Sequence, residues 1–210
     1  MTRFEAIGIV RQWLTDEPVV VSLGHPAYDL FAAGDRDLNF YTWGSMGLTS
    51  SIALGLALAR PDRTVVALDG DGSLLMNLGS LATIGDCAPP NLVVFVLDNG
   101  SYGTTGGQPT PTSRGADLEA AAKSMGIART ATVRDEGSLR QALAAIRKTS
   151  GPWVVVVKVE ESAPIAKPPL DCVLIKQRFM AAMGERAEGR PGLPTRGLGL
   201  DVLKGQSRWE

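Results

Sequence analysis

The sequence predicts an α/β protein: a parallel sheet of five or six strands with helices on both faces. Short Val-rich apolar runs recur along the chain, as expected for strands that a parallel sheet buries on both faces. Segments with the apolar spacing of helices separate these runs, and such alternation gives parallel strands joined by right-handed crossovers. Hydrophobic residues make up 44% of the 210 residues, which is enough to fill a complete core.

Seven segments are predicted to be helices. In the first, residues 2–14, apolar side chains recur every three or four positions, and Thr2 with Glu5 fits a capping box. The helix that begins at Ser73 is predicted to continue until Pro89 and Pro90 end it. Asp171 is a candidate cap for the last helix, which runs to residue 183. The other predicted helices span residues 28–33, 48–59, 117–125 and 136–149.

Five runs are predicted to be strands: residues 18–23, 65–68, 92–97, 128–133 and 153–159. The last is strongly β-branched, as buried strands often are. Residues 109–113 have a loop composition, and their glycine-rich approach predicts a mobile segment near a functional site. Residues 1–184 are predicted to form one domain. Residues 185–210 lack clear periodicity, and we expect a poorly ordered or partner-contacting extension there.

Composition and charge argue against several kinds of protein. The formal net charge is −1, so nothing predicts a nucleic acid or an anionic membrane as a partner. Cys87 and Cys172 are too few and too far apart for a metal or iron–sulfur motif, and we expect them to be reduced thiols. No apolar run is long enough to span a bilayer, and the charges throughout residues 1–17 argue against a signal peptide. We therefore expect a cytoplasmic protein.

Two strand ends carry side chains suited to a metal-bound diphosphate. Gly70-Asp71-Gly72 follows one predicted strand, and Asn99 follows the next. Open α/β sheets bind ligands at the carboxyl ends of their strands, and free N–H groups at a helix start bind phosphate. Asp71 and Asn99 each offer a hard oxygen of the kind that Mg²⁺ prefers. The glycine turn alone also fits Asp71 as a plain helix cap, but the second strand end favours a metal site.

This region resembles the thiamine diphosphate (ThDP) enzymes. Gly-Asp-Gly at 70–72, a further 26 residues and then Asn99 are similar to their cofactor motif, and GDGSLLMNLGSLATI and LDNGSYGTTGGQPT resemble sulfopyruvate and phosphonopyruvate decarboxylases. The resemblance implies that residues 1–184 are a diphosphate-binding ThDP domain, with Mg²⁺ held by the side chains of Asp71 and Asn99 and the carbonyl of Ser101. The implied cofactor contacts are Gly24, His25, Gly44, Ser45, Met46, Gly70, Asp71, Gly72, Ser73, Asn99, Ser101, Tyr102, Gly103 and Thr104.

Some of these contacts carry specific expectations. The segment Gly44-Ser45-Met46-Gly47 resembles the part of ThDP enzymes that holds the aminopyrimidine ring. By this match, the Gly44 carbonyl accepts a hydrogen bond from the exocyclic amine, and Met46 is the wedge that bends the cofactor. Gly44 and Met46 are thus the catalytic residues that the resemblance assigns to this chain. His25, the only histidine, is either a phosphate contact or an ordinary polar residue.

No glutamate of this chain sits where the resemblance would place the cofactor-activating glutamate. ThDP decarboxylases carry that residue on a separate pyrimidine-binding domain. The resemblance therefore implies a hetero-oligomer in which a partner (alpha) subunit supplies it. The implied reaction is the decarboxylation of a 2-oxo acid, with the cofactor taking up the electrons freed as CO₂ leaves. Carboligation, as in acetolactate synthases, and a non-catalytic role in assembly remain alternatives.

The choice of substrate is less constrained by the sequence. A sulfonate or phosphonate tail needs cationic or N–H donors. Residues 104–108 could supply neutral donors near the cofactor, and Arg36 and Arg114 are the candidate cations.

Overall fold

A six-stranded sheet forms the centre of the protein, and all of its strand pairs are parallel. The computed structural model describes residues 1–184. The sheet strands are β1 (Val19–Val21), β2 (Asn39–Tyr41), β3 (Val65–Gly70), β4 (Leu92–Asp98), β7 (Arg129–Val133) and β8 (Trp153–Lys158), and β5 (Ser101–Tyr102) with β6 (Gln108–Pro109) forms an antiparallel hairpin. The order in the sheet is β2-β1-β3-β4-β8-β7. The prediction of five or six parallel strands is confirmed.

Eight α-helices connect and cover the described strands. They are α1 (Arg3–Trp13), α2 (His25–Ala32), α3 (Thr49–Ala59), α4 (Asp71–Met76), α5 (Ser80–Cys87), α6 (Leu118–Ser124), α7 (Glu136–Lys148) and α8 (Cys172–Ala182), and a 3-10 helix spans Pro111–Arg114. None of the helices within residues 1–184 is both long and apolar enough to cross a lipid bilayer. The extension expected at residues 185–210 lies outside the described residues.

The sheet is buried on both faces, as its Val-rich strands predict. Side chains alternate along β3, so that Val66 and Leu68 join one apolar cluster and Val65 and Ala67 the other. The first cluster is completed by α1, α2, α7 and α8, and the second by α3, α4, α5 and α6. Helices on both faces are therefore confirmed.

The direction of chain winding reverses between β1 and β3. From β1 the chain moves outward to β2 and then returns to place β3 on the other side of β1. In open α/β sheets such a reversal opens a crevice at the carboxyl ends of the two strands, and ligands bind there. The topology therefore puts the Gly70-Asp71-Gly72 turn, at the end of β3, at the edge of this crevice.

Side-chain caps fix several helix starts. The Thr2 hydroxyl accepts the Glu5 N–H, and the Glu5 carboxylate accepts the Thr2 N–H, so the predicted capping box is confirmed. The Asp171 carboxylate accepts the Leu174 N–H and caps α8 as predicted. Caps of this kind contribute about 1 kcal/mol each.

Three sequence predictions about local structure are wrong. The helix expected to continue from Ser73 is interrupted between Met76 and Ser80, because Asn77 leaves the helical conformation (φ −140°, ψ 52°). Helix α2 begins at His25, three residues before the predicted start, with Pro26 in its first turn. The predicted loop at 109–113 contains the end of β6 and the 3-10 helix, and two of its threonines are buried.

Candidate active site

A cleft opens at the carboxyl edge of the sheet, at the reversal between β1 and β3. Residues after β1, β3 and β4 form its floor, while the β5 hairpin and the first turn of α1 form its walls. Its lining residues are Arg3, Ser22, Leu23, His25, Pro26, Met46, Gly70, Asp71, Gly72, Ser73, Leu97, Asn99, Ser101, Tyr102, Gly103 and Thr104.

The structure brings together all but three of the cofactor contacts named from the sequence. Gly24 is buried beside the cleft with a φ of +78°, and a Cβ there would lie 2.6 Å from Thr104 Cγ2. Gly44 and Ser45 form an exposed turn with positive φ values of 80° and 57°. That turn leads directly into Met46, which does line the cleft.

Asp71 is the buried acid of the cleft, with 2% of its surface exposed. The Thr110 hydroxyl donates to Asp71 Oδ2 at 2.6 Å, and the Thr112 hydroxyl lies 3.0 Å from the same oxygen. Thr110 donates to Oδ2, and the single hydroxyl proton of Thr112 is shared between Oδ2 and a second carboxylate, Asp98. Oδ1 of Asp71 has no protein side-chain donor among residues 1–184. We call Thr110 and Thr112 the hydroxyl clamp.

A second carboxylate lies behind the clamp. The Thr112 hydroxyl is 2.8 Å from Asp98 Oδ1, and Lys158 Nζ binds Asp98 Oδ2. Burial raises the pKa of Asp71, and the nearby charge of Asp98 raises it further, whereas the clamp hydroxyls lower it. Two carboxylates and one ammonium leave a net charge of −1 at this place, which favours the binding of a cation.

The residues present fit the predicted Mg²⁺ site. The Thr110 N–H donates to the Gly100 carbonyl across the hairpin. In an antiparallel pair, hydrogen-bonded positions alternate with positions whose backbone groups face outward, so the next residue, Ser101, directs its carbonyl away from β6, where a metal can reach it. Asn99 Oδ1 accepts the Ser101 N–H at 3.1 Å and keeps a second lone pair. The Ser101 hydroxyl oxygen is buried with no partner among the described residues. No cluster of three His, Cys, Asp or Glu side chains suited to a metal occurs within residues 1–184, so a metal here would rely on amide, carbonyl and ligand oxygens beside Asp71.

Gly72 brings the backbone of this turn close to the hairpin. A Cβ at Gly72 would lie 2.5 Å from Tyr102 Cε1 and 3.3 Å from Thr110 Cγ2. Any other residue would displace the Tyr102 ring and, through Thr110, disturb the clamp. The glycine is therefore required by the close approach of the hairpin, in addition to any ligand.

The Met46 segment and the Gly70 turn are joined through a buried hydroxyl. The Ser73 hydroxyl accepts the Gly47 N–H at 2.9 Å and lies 3.3 Å from the Ser22 hydroxyl. Behind them, Asp69 is fully buried, and this burial raises the pKa of its carboxyl to about 6. These contacts fix Met46 relative to the end of β3.

Residues that the sequence analysis did not single out join His25 in the wall nearest α1. Arg3 Nε donates to Asp29 Oδ2 at 2.7 Å, and Arg3 Nη2 donates to the Ser162 carbonyl at 2.6 Å. His25 Nδ1 lies 3.6 Å from Glu161 Oε1. Burial lowers the pKa of His25, and the Arg3 charge lowers it further, against the opposing charges of Glu161 and Asp29.

The cations proposed from the sequence for the substrate lie elsewhere. Arg36 donates to the Thr15 carbonyl, and Arg114 ends the 3-10 helix; neither lines the cleft. Of the neutral donors at residues 104–108, only Thr104 lines it. Arg3 could not be recognised from sequence, because it sits in an ordinary amphipathic helix far from the motifs.

Comparisons with known proteins agree with this geometry. Residues 27–157 match the family described as thiamine pyrophosphate enzyme, C-terminal TPP binding domain. Sulfopyruvate decarboxylase subunit beta of Methanococcus maripaludis is 44% identical over 187 residues, which cover 87% of this chain and 98% of that protein. Phosphonopyruvate decarboxylase of Streptomyces viridochromogenes is 40% identical over 168 residues, covering 79% of this chain but 42% of that protein.

A solved structure supports the fold. The thiamine diphosphate-dependent 4-hydroxybenzoylformate decarboxylase of Rhodococcus jostii RHA1 matches with a TM-score of 0.68 at 22% identity, over 77% of this chain and 33% of that chain. The sheet order, the cleft at the β1–β3 reversal and the matched sequences agree. The chain belongs to the thiamine pyrophosphate enzyme family, as a C-terminal TPP-binding domain whose relatives are sulfopyruvate and phosphonopyruvate decarboxylases.

Proposed function

We propose that this chain is the diphosphate-binding subunit of a ThDP- and Mg²⁺-dependent 2-oxo acid decarboxylase that acts on sulfopyruvate or phosphonopyruvate. One observation carries the proposal. The buried Asp71 carboxylate, clamped through one oxygen only, lines the same cleft as Asn99 and Ser101. A cation with a preference for oxygen ligands would balance its charge.

The chain's own residues would hold the cofactor by its diphosphate end. Asp71, Asn99 and the Ser101 carbonyl would hold Mg²⁺, whose charge would offset that of the diphosphate. Gly72 and Ser73 would donate backbone N–H groups to the diphosphate, and His25 would approach it from the start of α2. Bound ThDP supplies the electron sink for the electrons that CO₂ leaves behind.

The Met46 segment would hold the other end of the cofactor. Met46 would act as the wedge beneath the bent cofactor, and the Gly44 carbonyl would accept a hydrogen bond from the aminopyrimidine. The bond between Ser73 and the Gly47 N–H links this segment to the diphosphate turn. Cofactor bending and metal binding would therefore share one rigid support.

The activating glutamate would come from a partner subunit that binds the pyrimidine end. The relative that this chain spans almost completely is named a subunit, whereas the chain spans less than half of the phosphonopyruvate decarboxylase. Of the glutamates within residues 1–184, Glu161 reaches the rim of the cleft, where it faces His25 and its side chain is 46% exposed. An exposed position beside a histidine does not resemble an activating carboxylate, so we assign that role to the partner.

Co-purification tests the proposal. Native mass spectrometry of the complex isolated from its source cells should show a second chain together with ThDP and Mg²⁺. That complex should release CO₂ from sulfopyruvate or phosphonopyruvate, whereas this chain alone should not. A homo-oligomer without ThDP would refute the proposal.

Two further measurements separate the alternatives. Asp71→Ala should abolish CO₂ release by the complex; full activity in that variant would make this chain a non-catalytic assembly subunit. Product analysis distinguishes decarboxylation from carboligation, since a carboligase would yield a longer 2-hydroxy-3-oxo acid rather than the free aldehyde.

A further inference from the structure

Arg3 is a buried cation with unused hydrogen-bonding capacity at the edge of the cleft. Its side chain is 3% exposed, yet it lines the cleft. Nε and Nη2 have protein acceptors, whereas Nη1 makes no hydrogen bond to any residue that the structure describes. A guanidinium offers five N–H donors in a planar fork, so the Nη1 donors remain available to a ligand in the cleft.

The surroundings hold this guanidinium in a fixed orientation. Asp29, which is fully buried, accepts from Nε, and the Ser162 carbonyl accepts from Nη2. Asp29 sits on α2, Arg3 on α1 and Ser162 in the segment after β8, so three separate parts of the fold meet at one side chain. A surface arginine would lose rotamer entropy on binding a ligand, but Arg3 has already lost it on folding.

Arg3 enters the cleft from the face opposite the proposed metal site. Helix α1 packs in the apolar cluster shared with α2 and α7, whereas α4, which follows the Asp71 turn, packs in the other cluster. The cleft therefore has a carboxylate at Asp71 and, on the opposite wall, the guanidinium of Arg3, whose charge is balanced by Asp29 and whose Nη1 faces no protein acceptor among the described residues. A ligand that carries an oxyanion at some distance from the group bound near Asp71 could contact Arg3 at the same time.

We propose that Arg3 forms an oxyanion subsite of the cleft, with Nη1 donating to a sulfonate, phosphonate or phosphate oxygen of a bound ligand. The inference rests on the proposed function for the identity of that ligand. Two groups have the required chemistry: the anionic tail of the 2-oxo acid substrate and the diphosphate of the cofactor. Arg3 lies close enough to His25 for their charges to interact, and His25 would approach the diphosphate, so position alone does not separate the two groups. We favour the substrate tail, because Mg²⁺ and the N–H groups of Gly72 and Ser73 would already balance the diphosphate.

The test requires a variant that removes the guanidinium without leaving the buried Asp29 carboxylate unpaired. Arg3→Gln alone would leave a buried, unpaired carboxylate and could unfold the chain. The double variant Arg3→Gln/Asp29→Asn removes both charges and retains an amide-to-amide hydrogen bond. Two variants serve as controls: Asp29→Asn alone retains the guanidinium, and Arg114→Gln removes a guanidinium that lies outside the cleft. Circular dichroism checks that each complex is folded.

Two binding measurements on the complex identify the source of the oxyanion. The first is the Kd for sulfoacetate, an unreactive carboxylate–sulfonate, measured by calorimetry with ThDP and Mg²⁺ saturating. The second is the Kd for ThDP, measured by equilibrium dialysis at saturating Mg²⁺. In the double variant we expect the sulfoacetate Kd to rise by about 10- to 100-fold, the usual weight of a charge-assisted hydrogen bond, with the ThDP Kd unchanged.

Each outcome bears on the subsite. A rise in the ThDP Kd instead would retain the oxyanion subsite and assign it to the diphosphate. If a folded double variant binds both ligands as Arg114→Gln does, Arg3 is only a structural tether and the inference is wrong. If the complex is active, kcat/KM for sulfopyruvate should fall in the double variant relative to kcat/KM for pyruvate. A wild-type complex that decarboxylates neither acid would refute the proposed function, but the two binding measurements would still decide the role of Arg3.

Discussion

The hydroxyl clamp on Asp71 should control the affinity for Mg²⁺. The Thr110 hydroxyl donates to Oδ2 of Asp71 at 2.6 Å, the Thr112 hydroxyl lies 3.0 Å from the same oxygen and 2.8 Å from Asp98 Oδ1, and neither contacts Oδ1 of Asp71. The clamp therefore fixes the carboxylate orientation and leaves Oδ1 for the metal. The double variant Thr110→Val/Thr112→Val keeps the shape of both side chains and removes only the hydroxyls.

The expected loss follows from two effects. Without the hydroxyls, the buried carboxylate can rotate, and its pKa rises because the hydrogen bonds that lower it are gone. Outer partners of metal ligands typically contribute 10- to 100-fold in affinity, which corresponds to about 1.4–2.7 kcal/mol. We expect the Kd for Mg²⁺ to rise by that factor.

The assay is calorimetric titration of Mg²⁺ into the complex with ThDP saturating. Thr110→Ser/Thr112→Ser is the matched control, because it retains both hydroxyls and should bind Mg²⁺ within about threefold of the wild type. If the valine and serine variants bind Mg²⁺ equally well, the clamp has no role at the metal and the argument fails. A valine variant that loses its circular dichroism signal would show instead that the hydroxyls are needed for folding.

Three further predictions concern stability and the source of the glutamate. Asp35→Asn should lower the free energy of unfolding by up to about 1 kcal/mol at pH 7, because Asp35 is exposed and water screens its pair with Arg178. Burial raises the pKa of Asp35, but hydrogen bonds from Arg178 and Tyr41 outweigh burial and lower the pKa overall. The stabilisation is therefore complete above about pH 4 and is lost as the pH falls through the folded-state pKa. In urea titrations, the free energies of unfolding of wild type and variant should become equal at low pH; a difference that stays constant with pH would contradict this. Gly85→Ala should cost roughly 1–3 kcal/mol in the same assay, because its Cβ would lie 1.9 Å from the Met125 carbonyl oxygen; an unchanged midpoint would contradict that contact. Glu161→Gln should keep CO₂ release by the complex within about tenfold of the wild type, whereas a loss of 1,000-fold or more would identify Glu161 as the activating carboxylate.

The predicted strands and the cofactor turn were accessible from sequence because local patterns determine them. A buried parallel strand is apolar throughout, so the ends of β3 and β4 are visible as the points where polar residues and glycine begin. Parallel strands share a carboxyl edge, so the proximity of Asp71 and Asn99 follows from topology alone. The roles of these residues remain a prediction of the motif, although the geometry is consistent with them.

Other parts of the cleft depend on tertiary packing that no local pattern encodes. Arg3 looks like any polar residue at a helix start, and only the packing of α1 against α2 brings it to Asp29, 26 residues away. Thr110 and Thr112 occur in a segment with a loop composition, and only the hairpin folds them onto Asp71. The break after Met76 was missed because apolar spacing continues through it while the backbone does not.

The charges around the cleft indicate which carboxylate is available to a ligand. Asp29 is neutralised by Arg3, and Asp98 by Lys158. Asp71 is equally buried, but its partners are hydroxyls and the Gly72 backbone rather than a cation, and a buried carboxylate without a counter-cation is costly. Folding thus leaves the cleft-lining Asp71 carboxylate without a counter-cation, at the position where the motif expects Mg²⁺. Because a ligand that binds only the folded state stabilises it, Mg²⁺ with ThDP should raise the Tm of the wild-type complex, and this rise should disappear in Asp71→Asn, whose amide needs no counter-cation.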